Sequence, residues 1–139
     1  MKVGILQFFG WRDRSVPLNS VYESALERFS VMDTAGYDCV WLAEHHFSSF
    51  SVCPSVHMMG TMAAARTKRL RIGTAVSLAP FYNPLRLAED YATAEILTRG
   101  RTVFGVARGY HTREVETFGA PLIDQDANRE MFEEGTDLV

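Results

Sequence analysis

The strongest constraint on the fold is an alternation. Short apolar runs take turns with segments that place apolar residues at every third or fourth position. The strand candidates are "KVGILQFF" (2–9), "YDCVWLAE" (37–44), "LRIGTAVSLAP" (70–80) and "RTVFGVARG" (101–109). Between the first two, "SVYESALERFSVMDTAG" (20–36) repeats Val21, Ala25, Phe29 and Met32 along one helical face. Gly36 stands where a left-handed helix end is expected. "SVHMMGTMAAART" (55–67) reads as a second helix, rich in small residues and methionine. "NPLRLAEDYATAEILTRG" (83–100) reads as a third, with Pro84 in its first turn and Gly100 as its stop. "DANREMFEEGTDLV" (126–139) opens a further helix on an Asp126 cap. Strands that are apolar on both faces, each followed by a helix, are buried in a parallel sheet covered by helices. The predicted class is therefore α/β.

Two observations choose among α/β folds. No GxGxxG follows the first strand, which argues against a dinucleotide-binding crevice. Polar residues gather at the C-terminal ends of the strands, as in a (β/α)₈ TIM barrel. A whole barrel typically takes about 250 residues. The expectation is that residues 1–139 form the N-terminal half of such a domain, with about the first four βα units and the rest missing.

Charge and hydropathy narrow the partners. The net charge of −3 argues against nucleic acid or anionic lipid. The one basic cluster, "RTKRLR" (66–71), falls between a helix and a strand, where a solvated helix end accounts for it. No segment approaches the ~20 apolar residues of a membrane span, and Met1 leads directly into a strand with no signal-peptide pattern. Cys39 and Cys53 have no paired spacing, so free thiols in the cytoplasm are expected.

Chemistry-bearing side chains follow the strands. Glu44, His45 and His46 come after the second, Ser77 lies near the end of the third, and Arg108 and Tyr110 follow the fourth. Each has an ordinary reading as a hydrogen-bonded loop residue; their shared end of a barrel favours a site. Adjacent residues leaving a strand point to opposite sides, so one metal ion is a poor use of His45 and His46. One histidine facing the barrel mouth suits proton transfer, because imidazole titrates near neutrality. Glu44 then points toward the barrel wall or a neighbour, where it steers charge or buttresses a backbone. A guanidinium at Arg108 suits a phosphate held bidentately or an ion pair with a surface carboxylate.

"GYDCVWLAEHHF", "RIGTAVSLAPFYNPLRLAED" and "GRTVFGVARGY" together resemble the bacterial luciferase-like flavin monooxygenases, in order and from about Val3 to Gly119. The resemblance implies a TIM barrel that binds reduced FMN at its C-terminal face and activates O₂ to oxidise a small organic substrate. It makes His45 the catalytic histidine and Arg108 the phosphate-binding arginine, with Glu44 and Tyr110 beside the cofactor. It places Ala75 and Val76 on either side of a non-prolyl cis peptide beneath the flavin ring. It further implies a reductase that delivers the reduced flavin, and a homodimer or heterodimer formed through the second and third helices. Ala107 stands where luciferases carry a reactive cysteine, which weakens a light-emitting reading. A deazaflavin F420-dependent oxidoreductase is the enzymatic alternative. A non-catalytic flavin-binding or dimerising protein is the other.

Overall fold

The computed structural model describes residues 1–119 and 124–139. Four strands form one parallel sheet in sequential order: β1 (Gly4–Gln7), β2 (Cys39–Leu42), β3 (Arg71–Thr74) and β5 (Thr102–Val103). Gly4 pairs with Cys39 and Cys39 with Arg71, so the first three strands start level. Each new strand adds beside the last with no reversal of direction or order, which is how a barrel wall grows and a Rossmann sheet does not.

The covering helices are α1 (Leu18–Ala35), α2 (Val56–Arg66) and α3 (Pro84–Thr98), followed by α4 (Thr112–Thr117) and α5 (Gln125–Asp137). Val40, Leu42 and Ile72 face outward and are buried against Phe29 and Met32 of α1 and Met59 and Ala63 of α2. Each large side chain among them contributes about 1.5–3 kcal/mol by leaving water. On the opposite, inner face, Trp41 spreads over both neighbouring strands. That spread requires Gly73, since a Cβ there would stand 2.3 Å from the indole.

Helix ends follow the sequence signals at Gly36 and Pro84, whereas α1 begins at Leu18, ahead of Ser20, and α3 ends on a left-handed Arg99 (φ 57°), one residue before Gly100. Gly36 takes the left-handed conformation (φ 88°) after α1. Asn83 caps α3 by accepting from Leu85 N (3.1 Å) and Arg86 N (3.2 Å), with Pro84 as its first residue. The cap of α5 is Asp124 instead of Asp126, accepting from Ala127 N at 2.9 Å. The earlier aspartate is the one whose carboxylate meets a free amide of the first turn.

The third and fourth strand candidates each divide in two. β3 ends at Thr74, and β4 resumes at Ser77–Leu78; β5 ends at Val103, and β6 resumes at Val106–Ala107. Among the described residues the upper pieces pair only with each other, Ser77 opposite Val106 and Leu78 opposite Ala107. The physical reason lies at the gap. Thr74 Oγ1 accepts from Gly105 N (3.0 Å) and donates to Gly105 O (2.8 Å), so a side chain stands where ladder bonds would run. The Ala75–Val76 peptide in that gap is cis.

The basic cluster joins elements. Asp33, near the end of α1, accepts from the backbone N–H groups of Lys68, Arg69 and Leu70 at 2.7–2.9 Å. Arg101 donates to Ala64 O (2.7 Å) and Thr67 Oγ1 (2.9 Å), closing the C-terminal end of α2.

Candidate active site

Both histidines leave β2 at its C-terminal end, and their rings part. The His45 ring stacks over Phe8, with centroids 6.0 Å apart, and meets the edge of Phe50 at 5.7 Å. The His46 ring enters an aromatic group with Phe118 (4.7 Å) and Phe81 (5.7 Å). Phe81 and Phe118 are themselves stacked at 4.9 Å.

Each imidazole meets its own carboxylate. His45 Nδ1 lies 3.3 Å from Glu114 Oε1, and His46 Nε2 lies 3.0 Å from Glu44 Oε1. Both acids are buried, Glu44 at 3% exposure and Glu114 at 4%. A buried carboxylate persists when donors surround it. Glu44 accepts from Tyr82 OH (2.8 Å), Leu78 N (3.1 Å) and His46; Glu114 accepts from His46 N (2.8 Å) and His45. Glu44 therefore spends its oxygens inside the protein, and through Leu78 it fixes the β4 segment beyond the Ala75–Val76 turn.

The remaining candidates are distributed around this pair. Arg108 follows β6, half-buried, with no hydrogen-bond acceptor and no ion-pair partner among the described residues. Tyr110 is 80% exposed. Ser77 does not join the histidine pair; its Oγ lies 3.3 Å from His57 Nε2. His57 stands in the first turn of α2, wedged against the edges of Tyr91 (4.8 Å) and Tyr82 (5.4 Å). Tyr91 OH continues the network to Thr74 Oγ1 at 2.8 Å. Burial lowers the His57 pKa and pushes the Tyr91 phenol up to about 12. Burial, then the charge of Glu44, raise Tyr82 as well. The same two causes push Cys53 up to about 12, which makes it an inert thiol.

Three site residues escape the sequence: Glu114, Phe118 and Tyr82. Glu114 lies on a six-residue helix, too short to show a periodicity. Its only sequence signal is position, since it follows the strand-end Arg108 and Tyr110 by one turn.

Sequential parallel βα units, with a polar cluster beyond the strand ends, define the chain as part of an α/β barrel of enzymatic type. The chain belongs to the luciferase-like monooxygenase family, whose model matches residues 1–139. It is 33% identical over 96 residues to the oxygenase component of a flavin-dependent trigonelline monooxygenase from Acinetobacter baylyi, covering 69% of this chain and 27% of that protein. The monooxygenase RslO1 from Streptomyces bottropensis superposes with a TM-score of 0.90 at 29% identity, over 99% of this chain and 41% of that one. The oxygenating constituent of 3,6-diketocamphane monooxygenase from Pseudomonas putida, solved in complex with FMN, superposes with a TM-score of 0.88 at 18% identity, over 99% and 38% of the two chains. The chain thus spans well under half the length of the proteins it matches, and its fold corresponds to the N-terminal portion of their TIM barrel.

Proposed function

We propose that this chain supplies the first four βα units of a cytoplasmic flavin-dependent monooxygenase that uses reduced FMN and O₂ to oxidise a small organic substrate. The observation that carries the proposal is Arg108: a half-buried guanidinium, without a carboxylate among the described residues, on the rim that also bears His45. Such a group is suited to a phosphate, which it holds with two parallel hydrogen bonds. The small side chains of Ala75 and Val76 suit the approach of a flat ring to the backbone, and Tyr110, two residues past Arg108, is exposed. Glu44 contributes by holding Leu78 N and Tyr82 OH, which keeps the segment next to that backbone in place.

Reduced FMN, when bound, supplies the electrons for oxygen chemistry. The residues of this chain hold, shield and move protons around it. Arg108 anchors the phosphate. His45 Nε2 exchanges a proton with the reacting groups, within the range of contributions a positioned imidazole makes. Phe47, Phe50 and Phe81, joined by Phe118, exclude water from the rim. The Acinetobacter relative is an oxygenase component, which supports a separate reductase that delivers the reduced flavin. Met58 and Met62 of α2 and Leu85, Ile96 and Leu97 of α3 are exposed, which supports a homodimer or heterodimer through those helices. Among the described residues no helix is long and apolar enough to cross a membrane.

The test is a parallel anaerobic titration of the intact barrel enzyme with reduced FMN and reduced F420, followed by oxygen. Tight binding of reduced FMN and O₂-dependent formation of an oxygenated product are expected. Preference for F420 without oxygen consumption would make it a deazaflavin oxidoreductase. Flavin binding without turnover on any substrate would leave a non-catalytic binding protein.

A further inference from the structure

We propose that two different buried carboxylates hold the adjacent histidines in opposite tautomers, and that Glu114 is the positioning residue of His45. A neutral imidazole carries one N–H and one bare nitrogen, while a carboxylate only accepts. The nitrogen that faces a carboxylate is therefore the protonated one. For His45 that nitrogen is Nδ1, 3.3 Å from Glu114 Oε1; for His46 it is Nε2, 3.0 Å from Glu44 Oε1. His45 is left with a bare Nε2 that has no partner among the described residues. His46 has its Nε2 consumed and its ring packed against Phe81 and Phe118.

Two further facts make Glu114 more than a neighbour. Its side chain is 5% exposed, so water competes little for the imidazole. The same Oε1 that faces His45 accepts the backbone N–H of His46 at 2.8 Å, which marks it as an acceptor and ties the carboxylate to the chain that carries the ring. Ring and backbone are thus referred to one atom, contributed by α4 across 69 positions of sequence. Strand alternation separates the two rings, but it cannot assign their protons; the two carboxylates do that. The catalytic meaning of a bare His45 Nε2 rests on the monooxygenase reading above, whereas the tautomers do not.

The test is ¹⁵N NMR of histidine-labelled protein under magic-angle spinning, which association of the chain does not defeat. It is recorded at alkaline pH, with signals assigned by single His→Gln substitutions. Free imidazole favours the Nε2–H form, so His45 is the informative ring. We expect His45 as Nδ1–H and His46 as Nε2–H. E114Q retains both, because the amide oxygen still accepts from His46 N and His45 Nδ1. E114L, apolar and of similar size, returns His45 to Nε2–H and leaves His46 unchanged. In the intact enzyme E114L lowers kcat by roughly 10²-fold, toward the level of His45→Ala, with the KM for reduced flavin unmoved. His45 found as Nε2–H in the unsubstituted protein would overturn the proposal even if E114L did not fold. So would a retained Nδ1–H in a folded E114L. Opposite tautomers in a protein whose turnover ignores His45→Ala would uphold this inference and refute the monooxygenase role of the histidine.

Discussion

His45 and His46 are one position apart in the chain, yet their rings share no partner. That difference makes their substitutions separable. In the intact enzyme His45→Ala is expected to lower turnover by roughly 10²–10⁴-fold, the usual worth of a positioned acid or base. Reduced-FMN affinity should barely change, since the ring contributes proton transfer more than binding. Arg108→Ala should do the reverse, weakening reduced-FMN binding by about 1.5–3 kcal/mol, the usual value of a hydrogen bond to a charged group. Stopped-flow turnover and anaerobic equilibrium titration, run on the same preparations, check both; His46→Ala as the variant with the greater loss of turnover would count against the assignment. At this scale the sequence showed which residues stand at strand ends, because a parallel sheet puts those ends on one side. It did not show Glu114, because nothing in "HTREVETFG" marks one of its two glutamates as the one that turns inward.

Among elements, the gap between the lower sheet and the β4–β6 pair is the least forgiving contact. A Cβ on Gly105 would stand 2.1 Å from Thr74 O, a backbone atom that cannot swing aside. Gly105→Ala is therefore expected to lower stability by about 1–3 kcal/mol, as overpacked sites do, read as a fall in thermal midpoint with the helical circular dichroism retained below it. The α2–β4 contact carries a pH dependence through His57. Burial holds its pKa below the ordinary value of 6.5, while Glu44 and Asp90 oppose that fall. Below pH 6.5 the unfolded chain binds a proton that the folded chain refuses, so stability is full above that pH and declines as acid is added. Urea midpoints should fall between pH 7.5 and 5.5, and His57→Gln should flatten that slope; an unchanged slope would count against burial of a neutral ring. Helices α1, α2, α3 and α5 were legible because their apolar spacing and caps are local, whereas the six residues of α4 show neither. The division of both strands was not, because it arises where Thr74 of one strand enters the ladder of another, 31 positions away.

For the whole molecule, the sheet has two unpaired edges and an inner face. β1 lies at one edge, and its Leu6 and the following Phe8 are exposed, together with Phe104 just past β5 at the other. Unpaired edges and contiguous apolar surface favour association. The 139-residue chain purified by itself is expected to sediment as species heavier than the monomer; a stable, well-folded monomer would argue that these surfaces need no cover. The overall class was legible from alternation alone, whereas the split of the wall into two tiers was not. That split has a consequence for anyone recombining such proteins. Leu78 and Ala107 belong to a two-stranded tier that hydrogen-bonds within itself, above a lower tier running from Gly4 to Val103. Cuts placed in the 75–76 and 104–105 gaps would exchange residues 76–104, with β4, α3 and β5, while leaving Trp41, Thr74, Gly105 and the strand that leads to Arg108 native. The molecule thus carries its own crossover points: chimaeras joined at both gaps together should fold, and chimaeras joined at only one should not, because Thr74 and Gly105 would then come from different parents.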